Sequence, residues 1–414
     1  MRLGIDFGTT NSAVAVLRDD GQPRILELVP GERTQRTVIH SDLSGVITFG
    51  NEAFDRYLEC DLRGRFLRSL KAFLPHDVPP TRIGHKTMRF VDLVARYLTF
   101  LAERAESVAG EPIEKVVVGR PVRFHADADR HERALANLKE AIGISGLPEP
   151  VLQLEPVAAA LRYERTLDAD RIVLVGDFGG GTADFAILKV GPKQPRSDER
   201  VLGTSGVAQA GDVLDGVFVD AFVLDFMGRG SRFVPRGAED ARAWSPGWLR
   251  QIRRLYDLHR LREPRLERFL QDLQDRTEDP VGIERVRKLV FDDLGYPLAR
   301  AIERAKRGFS ERSTVDFVFD AYESPRLNVE APVERTTFAE ASGSVLDAYE
   351  AAIDRVLELA GCRETDIDEV FLTGGTSQLP FLKARFEDRF EPQKVRGGEA
   401  FTTVCEGLAL SFAA

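Results

Sequence analysis

Residues 177–184, Asp-Phe-Gly-Gly-Gly-Thr-Ala-Asp, set two carboxylates around three consecutive glycines. That combination suits phosphate chemistry. Consecutive glycines let a backbone approach a ligand closely and turn successive N–H groups onto one anion, such as a phosphoryl group. Asp177, beside that cradle, is suited to a divalent cation, most simply Mg2+ held through its waters. Residues 6–10, Asp-Phe-Gly-Thr-Thr, repeat the pattern 171 positions earlier. One glycine turn reads equally well as a flexible hairpin. Two copies about one domain length apart predict a duplicated fold whose halves face each other across a nucleotide, with one carboxylate from each half at a shared metal.

The elements that must position these groups surround them. Apolar residues 172–175 predict a buried strand that ends at Asp177, and residues 185–188 the strand that returns. Residues 3–5 and 13–17 make the matching pair near the amino terminus. Further strands are expected at 25–29 and 46–49, and a helix at 51–74 that carries Arg63, Arg65, Arg68 and Lys71 on a basic face. Phe90–Ala109 has the spacing of an amphipathic helix, through Leu93, Val94, Tyr97, Leu98, Leu101 and Ala105. A strand at 115–119, closed by Arg120-Pro121-Val122, and a helix at 131–142 continue the alternation of an α/β lobe. Pro156 suits a first helical position, which puts Glu155 at a helix entry.

The stretch 221–311 is rich in arginine and helix formers. It includes a loop at 229–247 with Trp244 within it and Trp248 just beyond, and it ends in a helix that runs to Phe309. On that helix Glu303, Lys306, Arg307 and Ser310 share one face, while Ile302, Ala305 and Phe309 form the other. Strands at 315–319 and 326–329 and a long helix at 338–360 follow. Residues 370–377 read as strand and glycine turn before a helix that starts near Leu379-Pro380. Two glycines there permit close approach to a phosphate or sugar. Residues 396–398 and 407–412 close the fold.

A length of 414 residues predicts two to three domains. With 43% hydrophobic and 30% charged residues, the composition is that of a globular protein with a sizeable core. A net charge of −9 argues against nucleic acid or an anionic membrane as the main partner, since both reward a basic face. Cys60, Cys362 and Cys405 show no C-x-x-C spacing, so a reduced, cytoplasmic setting is expected. The scattered histidines have no paired-ligand spacing. Asp6 interrupts the apolar residues of 1–16 too early for a signal peptide, and no stretch has the apolar length of a membrane span.

IDFGTTNSAV and LVGDFGGGTADFAIL resemble the two phosphate signatures of DnaK-type heat-shock chaperones, within the actin/hexokinase-like ATPase superfamily. Lys71, in KAFLP, is similar in position to that family's phosphate-side lysine. LEPVAAA resembles its NEPTAAA segment, with Leu154 where asparagine is usual, and this implies a place near metal and hydrolytic water for Glu155. GTSGVAQAGDVLD, residues 203–215, is similar to the loop that closes over the γ-phosphate side, with Ala210-Gly211 for the usual Gly-Gly. IERAKRGFS resembles IEKAKRTLS, which implies that Glu303, Lys306, Arg307 and Ser310 meet adenine and ribose. FLTGGTSQLP resembles VGGSTRIP, which gives Gly374, Gly375 and Thr376 an adenosine role. Gln378 occupies the place of the arginine that would stack on adenine opposite Arg307, a contact worth about 0.5–2 kcal/mol.

The resemblance implies an α/β, duplicated actin/hexokinase-like (ribonuclease H-like) fold with two lobes around a nucleotide cleft. Lobe I is expected at 1–168, with its core at 1–37 and 88–168 and a small subdomain at 38–87. Lobe II is expected at 169–414, with its core at 169–211 and 336–414 and a helical subdomain at 212–335. Asp6 and Asp177 would position Mg2+. Gly8, Thr9, Thr10, Asn11, Gly179, Gly180, Gly181, Thr182 and Gly211 would surround the phosphates of ATP or ADP, with K+ as a further ion. Lys71, Glu155, Asp184 and Asp177 would orient or activate water for in-line attack. The expected function is slow ATP hydrolysis by a chaperone-type protein of the short YegD-like branch, which lacks a peptide-binding domain and acts on an unidentified protein client or partner. The alternatives are a nucleotide-gated scaffold with little catalysis, encouraged by Gln378, and a sugar or acid kinase on the same fold.

Overall fold

The structure, a computed structural model, describes residues 1–60, 63–125, 127–165, 167–194, 200–237, 239–244, 247–255, 258, 261–397 and 402–413. It divides into two compact units, one made of Met1–Gly211 and Asp347–Ala414, the other of Asp212–Leu346.

The first unit holds two sheets that follow the same path. Their strands are β1 (Arg2–Asp6), β2 (Asn11–Leu17), β3 (Pro23–Ile25), β4 (Lys115–Arg120), β5 (Pro150–Leu154), β6 (Arg171–Phe178), β7 (Ala183–Val190), β8 (Val201–Val207), β9 (Glu369–Thr373) and β10 (Val395–Gly397). The first sheet runs β5-β4-β1-β2-β3, with a short strand at Gln35–Arg36 on β2, and the second runs β8-β7-β6-β9-β10. In each, the leading strand turns back on its successor in an antiparallel hairpin and pairs in parallel with a strand from much later in the chain. A tight turn can join the first kind of pair, whereas the second needs a long crossover. The repeated Asp-Phe-Gly sequence is thus matched by a repeated topology.

Two helices bind these sheets into one core. Val157–Ala160 of the Glu155–Glu164 helix and Val404 and Leu408 of the Thr403–Leu410 helix pack in one cluster with Val117 of β4 and with Val173, Val175, Ala186, Leu188 and Phe371 of the second sheet. Small residues let these backbones touch. A Cβ on Gly407 would lie 1.7 Å from the Ala158 carbonyl oxygen, and one on Gly4 would lie 2.6 Å from the Ala409 nitrogen. The Phe90–Ala109 helix buries the apolar stripe expected of it and stops at Gly110, whose N–H donates to Glu106.

The second unit carries the helices Pro264–Gln274, Pro280–Phe291 and Gly295–Gly308 and the hairpin Thr314–Phe319 with Val329–Glu334. Phe218, Phe309, Phe317 and Phe338 are buried there against one another. Inside the stretch expected to be a loop, Arg232–Phe233 pairs with Arg242–Ala243, and Trp244 is buried beside that pair. The side chain of Trp248, His259 and residues 398–401 lie outside the described residues.

Several expected elements differ. The strand expected at 25–29 is Pro23–Ile25, and Val29 makes only an isolated bridge to Glu32. The helix expected at 51–74 ends at Glu59; the backbone turns at Gly64, and Arg65–Arg68 pairs with Val38–Ser41 as a strand. Lys71 therefore sits, buried with Leu70, on the helical turn Leu70–Phe73, and not on a basic helix face. The loop expected at 203–215 is largely strand β8 and the Gly211–Phe218 helix. Residues 326–327 belong to a helical turn that precedes the strand Val329–Glu334. The helix expected at 338–360 is two helices, Arg335–Ala341 and Gly343–Ala360, with buried Ser342 between them donating its hydroxyl to the Phe338 carbonyl. Among the described residues no helix is long and apolar enough to cross a membrane.

The crossing at Gly407 is testable. Gly407→Ala forces two helix backbones apart and should destabilise the protein by about 1–3 kcal/mol or more, read as a fall in the urea midpoint. An unchanged midpoint would contradict the close approach.

Candidate functional site

Both Asp-Phe-Gly turns lie in the first unit, and they face each other. A Cβ on Gly180 would meet the Thr10 hydroxyl oxygen at 2.4 Å, and one on Gly181 would meet that of Thr9 at 3.3 Å. Each turn is braced from behind. The Thr37 hydroxyl donates to the Gly8 carbonyl at 2.8 Å and pairs with the buried Ser12 hydroxyl, while the Thr37 N–H donates to Thr10. In the second turn the Gly179 N–H donates to the Thr182 carbonyl, and the Gly179 carbonyl accepts from the Gly211 N–H and from the Thr376 hydroxyl at 3.4 Å. Gly211 and Thr376 thus join the turn that sequence reasoning placed at the phosphates. Thr37 was missed, because nothing local marks a threonine that acts through tertiary pairing.

Gly374 needs its glycine for two reasons. Its φ is +86°, and a Cβ would lie 2.3 Å from the Phe178 carbonyl oxygen. This lets the Gly374-Gly375 turn, followed by the Gly375–Gln378 helical turn, pass directly over the end of β6. Asn11 begins β2, and Gln378 is exposed.

The charged groups gather beside these turns. Lys71 Nζ lies 2.5 Å from Glu155 Oε1, and both side chains are buried. Lys71 is presented by a turn whose preceding residue, Ser69, has φ 55°, a left-handed conformation that costs a non-glycine residue energy. Glu155 opens its helix directly over β4, where Gly119 leaves the space; a Cβ there would be 3.2 Å from Glu155 Cγ. Burial works against the Lys71 ammonium, but Glu155, Asp6 and Asp177 outweigh it and hold its pKa above the ordinary value. Asp6 is pushed up to about 7 by burial and then by the charge of Glu155. Asp184 is likewise pushed up to about 7 by burial and by Glu155, although it accepts hydrogen bonds from Thr182 and from the Arg123 N–H. Asp177 is raised well above the usual carboxylate range by burial, Glu155, Asp6 and Asp184. The backbone donor at Arg123 had no sequence signal.

Hard oxygen donors with an excess of negative charge fit a divalent cation. Among the described residues no three His, Cys, Asp or Glu side chains converge as a ready-made cage. That donor set fits a cation that keeps most of its own water, as Mg2+ does when one or two carboxylates hold it.

In the second unit, Glu303 pairs with Arg300 at 2.7 Å and with Arg307 at 2.6 Å, Lys306 pairs with Asp215 at 2.7 Å, and the Ser310 hydroxyl donates to the Arg307 carbonyl. Of the four residues expected to meet a nucleoside, Glu303, Lys306 and Arg307 lie on the helix Gly295–Gly308 and Ser310 lies in the turn just past its end, because the helix stops two residues earlier; all four are engaged with their own neighbours.

The sequence matches the family model described as "Hsp70 protein" over residues 78–231 and 294–413. Among curated proteins it is similar to "Chaperone protein DnaK" from two strains of Halobacterium salinarum, at 28% identity over 398 residues in each case. The match takes in 95% of this chain and 52% of either relative, so the chain spans about half the length of the relatives it matches.

The acid groups give a pH test. Values near 7 for Asp6 and Asp184 lie above their ordinary 3.8, so the ligand-free fold holds protons that the unfolded chain has released. The stability so contributed is whole below about pH 4 and is lost as pH rises through about 7. Asp184→Asn cannot ionise. Its urea midpoint should therefore gain on wild type between pH 5 and pH 8 in EDTA, and parallel profiles for the two proteins would contradict the raised value.

Proposed function

The chain belongs to the Hsp70 family, whose ATPase fold is the duplicated actin/hexokinase-like one, and we propose that it is a chaperone-type, Mg2+-dependent ATPase with a slow turnover. The observation that carries this reading is the pair of facing hairpin turns, with Lys71, Glu155 and three raised aspartates beside them. In this reading the N–H groups of Gly179, Gly180 and Gly181, with Thr9, Thr10, Asn11 and Thr182, bind the β- and γ-phosphates. Asp6 and Asp177 would hold hydrated Mg2+, which when bound supplies neutralisation of phosphate charge.

Lys71 adds positive charge where negative charge grows on the γ-phosphoryl group, and its ion pair with Glu155 fixes the ammonium in place. Glu155 orients the attacking water. Asp184 accepts its proton, a task suited to a carboxyl whose pKa is near the working pH. Glu303, Lys306, Arg307 and Ser310 would receive the nucleoside, as would Gly374, Gly375 and Thr376, and K+ would be an accessory ion. To the same reading belong the lobes at 1–168 and 169–414, their closure as the output, the short YegD-like branch, a cytoplasmic location and a protein client or partner.

A scaffold that binds nucleotide with little cleavage is the second reading, favoured by the exposed Gln378, whose side chain offers no guanidinium. One experiment separates the two. Wild type mixed in excess with radiolabelled ATP should release phosphate in a single turnover, and Lys71→Ala should slow that step by about 10²–10³-fold while ATP remains bound. Binding without cleavage in wild type selects the scaffold, and wild-type rates in Lys71→Ala remove the lysine's role.

A further inference from the structure

At its carboxyl end β6 sets Asp177 in register with Asp184 on β7 and with Thr373 on β9. Residues in register on adjacent strands project from the same face of a sheet. Asp184, Asp177 and Thr373 therefore form a transverse row of oxygen-bearing side chains. Val173, Val175 and Phe371, which precede them on that face by steps of two, pack with Val157–Ala160, so the row lies on the face covered by the helix that begins with Glu155.

Two members of the row have work in the site already described, and the third has none. Thr373 is wholly buried, and its Oγ1 has no hydrogen-bond partner. A buried hydroxyl left unpaired costs about 1–3 kcal/mol, whereas valine would fill nearly the same volume without that cost. Neighbouring strands lie about 4.7–4.9 Å apart, a separation at which one water can bridge two polar side chains in register on the parallel β6–β9 pair. Such a water needs at least two polar partners, and the Asp177 carboxylate and the Thr373 hydroxyl are two.

We propose that Thr373 is a further positioning residue of the nucleotide site, its hydroxyl holding an ordered water against the Asp177 carboxylate and so fixing that carboxylate for a hydrated cation. The proposal rests on the reading that Asp6 and Asp177 hold Mg2+. Outer hydrogen-bond partners of metal-binding groups typically change metal affinity by about 10–100-fold when removed. Thr373 would act at the lower end of that range, because the ion keeps its own waters.

The test compares the full-length wild type with Thr373→Val and Thr373→Ser. ADP affinity is measured by calorimetry in Mg2+ and in EDTA, and thermal unfolding is followed without nucleotide. Thr373→Val should lose about 10-fold of the gain in ADP affinity that Mg2+ confers, keep its affinity in EDTA, and unfold at the wild-type temperature or above. Thr373→Ser should restore the gain. A full magnesium gain in Thr373→Val overturns the inference and leaves the reading of the site standing. Equal losses in Mg2+ and EDTA, a lower unfolding temperature, or no rescue by serine would make Thr373 a packing residue and also overturn it. A wild type that binds ADP no better with Mg2+ than with EDTA overturns the underlying reading, and the role of Thr373 with it.

Discussion

Four carboxylates, those of Asp6, Glu155, Asp177 and Asp184, act on one another in a buried space where the Lys71 ammonium opposes them. Removing such charges from water is costly, and one ion pair does not balance four acids. The protein alone can relieve the excess by retaining protons, which is why three of the aspartates are raised. A cation bound between the two hairpins relieves it differently, by favouring the ionised forms. Under the proposed reading, unbalanced charge of this kind would attract the metal strongly, and the bound metal would then offset the charge of the phosphates.

That excess is sustained only because backbones approach closely around it. Glu155 reaches over β4 through the gap at Gly119, the Glu155–Glu164 helix meets the Thr403–Leu410 helix with Gly407 against Ala158, and the second hairpin turn closes on Thr10 at Gly180. Larger residues at any of these places would spread the charges and weaken their coupling. The small residues and the charged ones are therefore a single design. The Lys71–Glu155 pair is the part that holds without ligand, since each partner would otherwise be a buried charge alone.

Much of this was legible in the chain because it is locally encoded. The Asp-Phe-Gly repeat announced the duplicated topology, and the apolar stripe of Phe90–Ala109 announced its helix. What failed were places where distant pairing overrides local preference. Arg65–Arg68 stands among helix formers and becomes a strand because Val38–Ser41 offers an edge. Ser342 divides a continuous helical pattern by bonding back to Phe338. The row that contains Thr373 has no local signature, since its register joins strands almost two hundred positions apart. Lys71 was found through the motif around it, and its burial was not foreseen.

The charged groups of the two units differ in kind. In the second unit Glu303, Arg300, Arg307, Lys306 and Asp215 already satisfy one another across a partly exposed face. Pairs of this kind are worth about 0–1 kcal/mol each, so under the proposed reading a nucleoside would displace them at little cost. Gln378, exposed and uncharged, adds no cation for the base to stack on. In the first unit the charge is buried and unbalanced, and each group brought to it changes the energy of all the others. Under the proposed reading, nucleotide affinity therefore resides chiefly in the phosphates and their cation. The protein would then distinguish one phosphate state from another more sharply than one base from another.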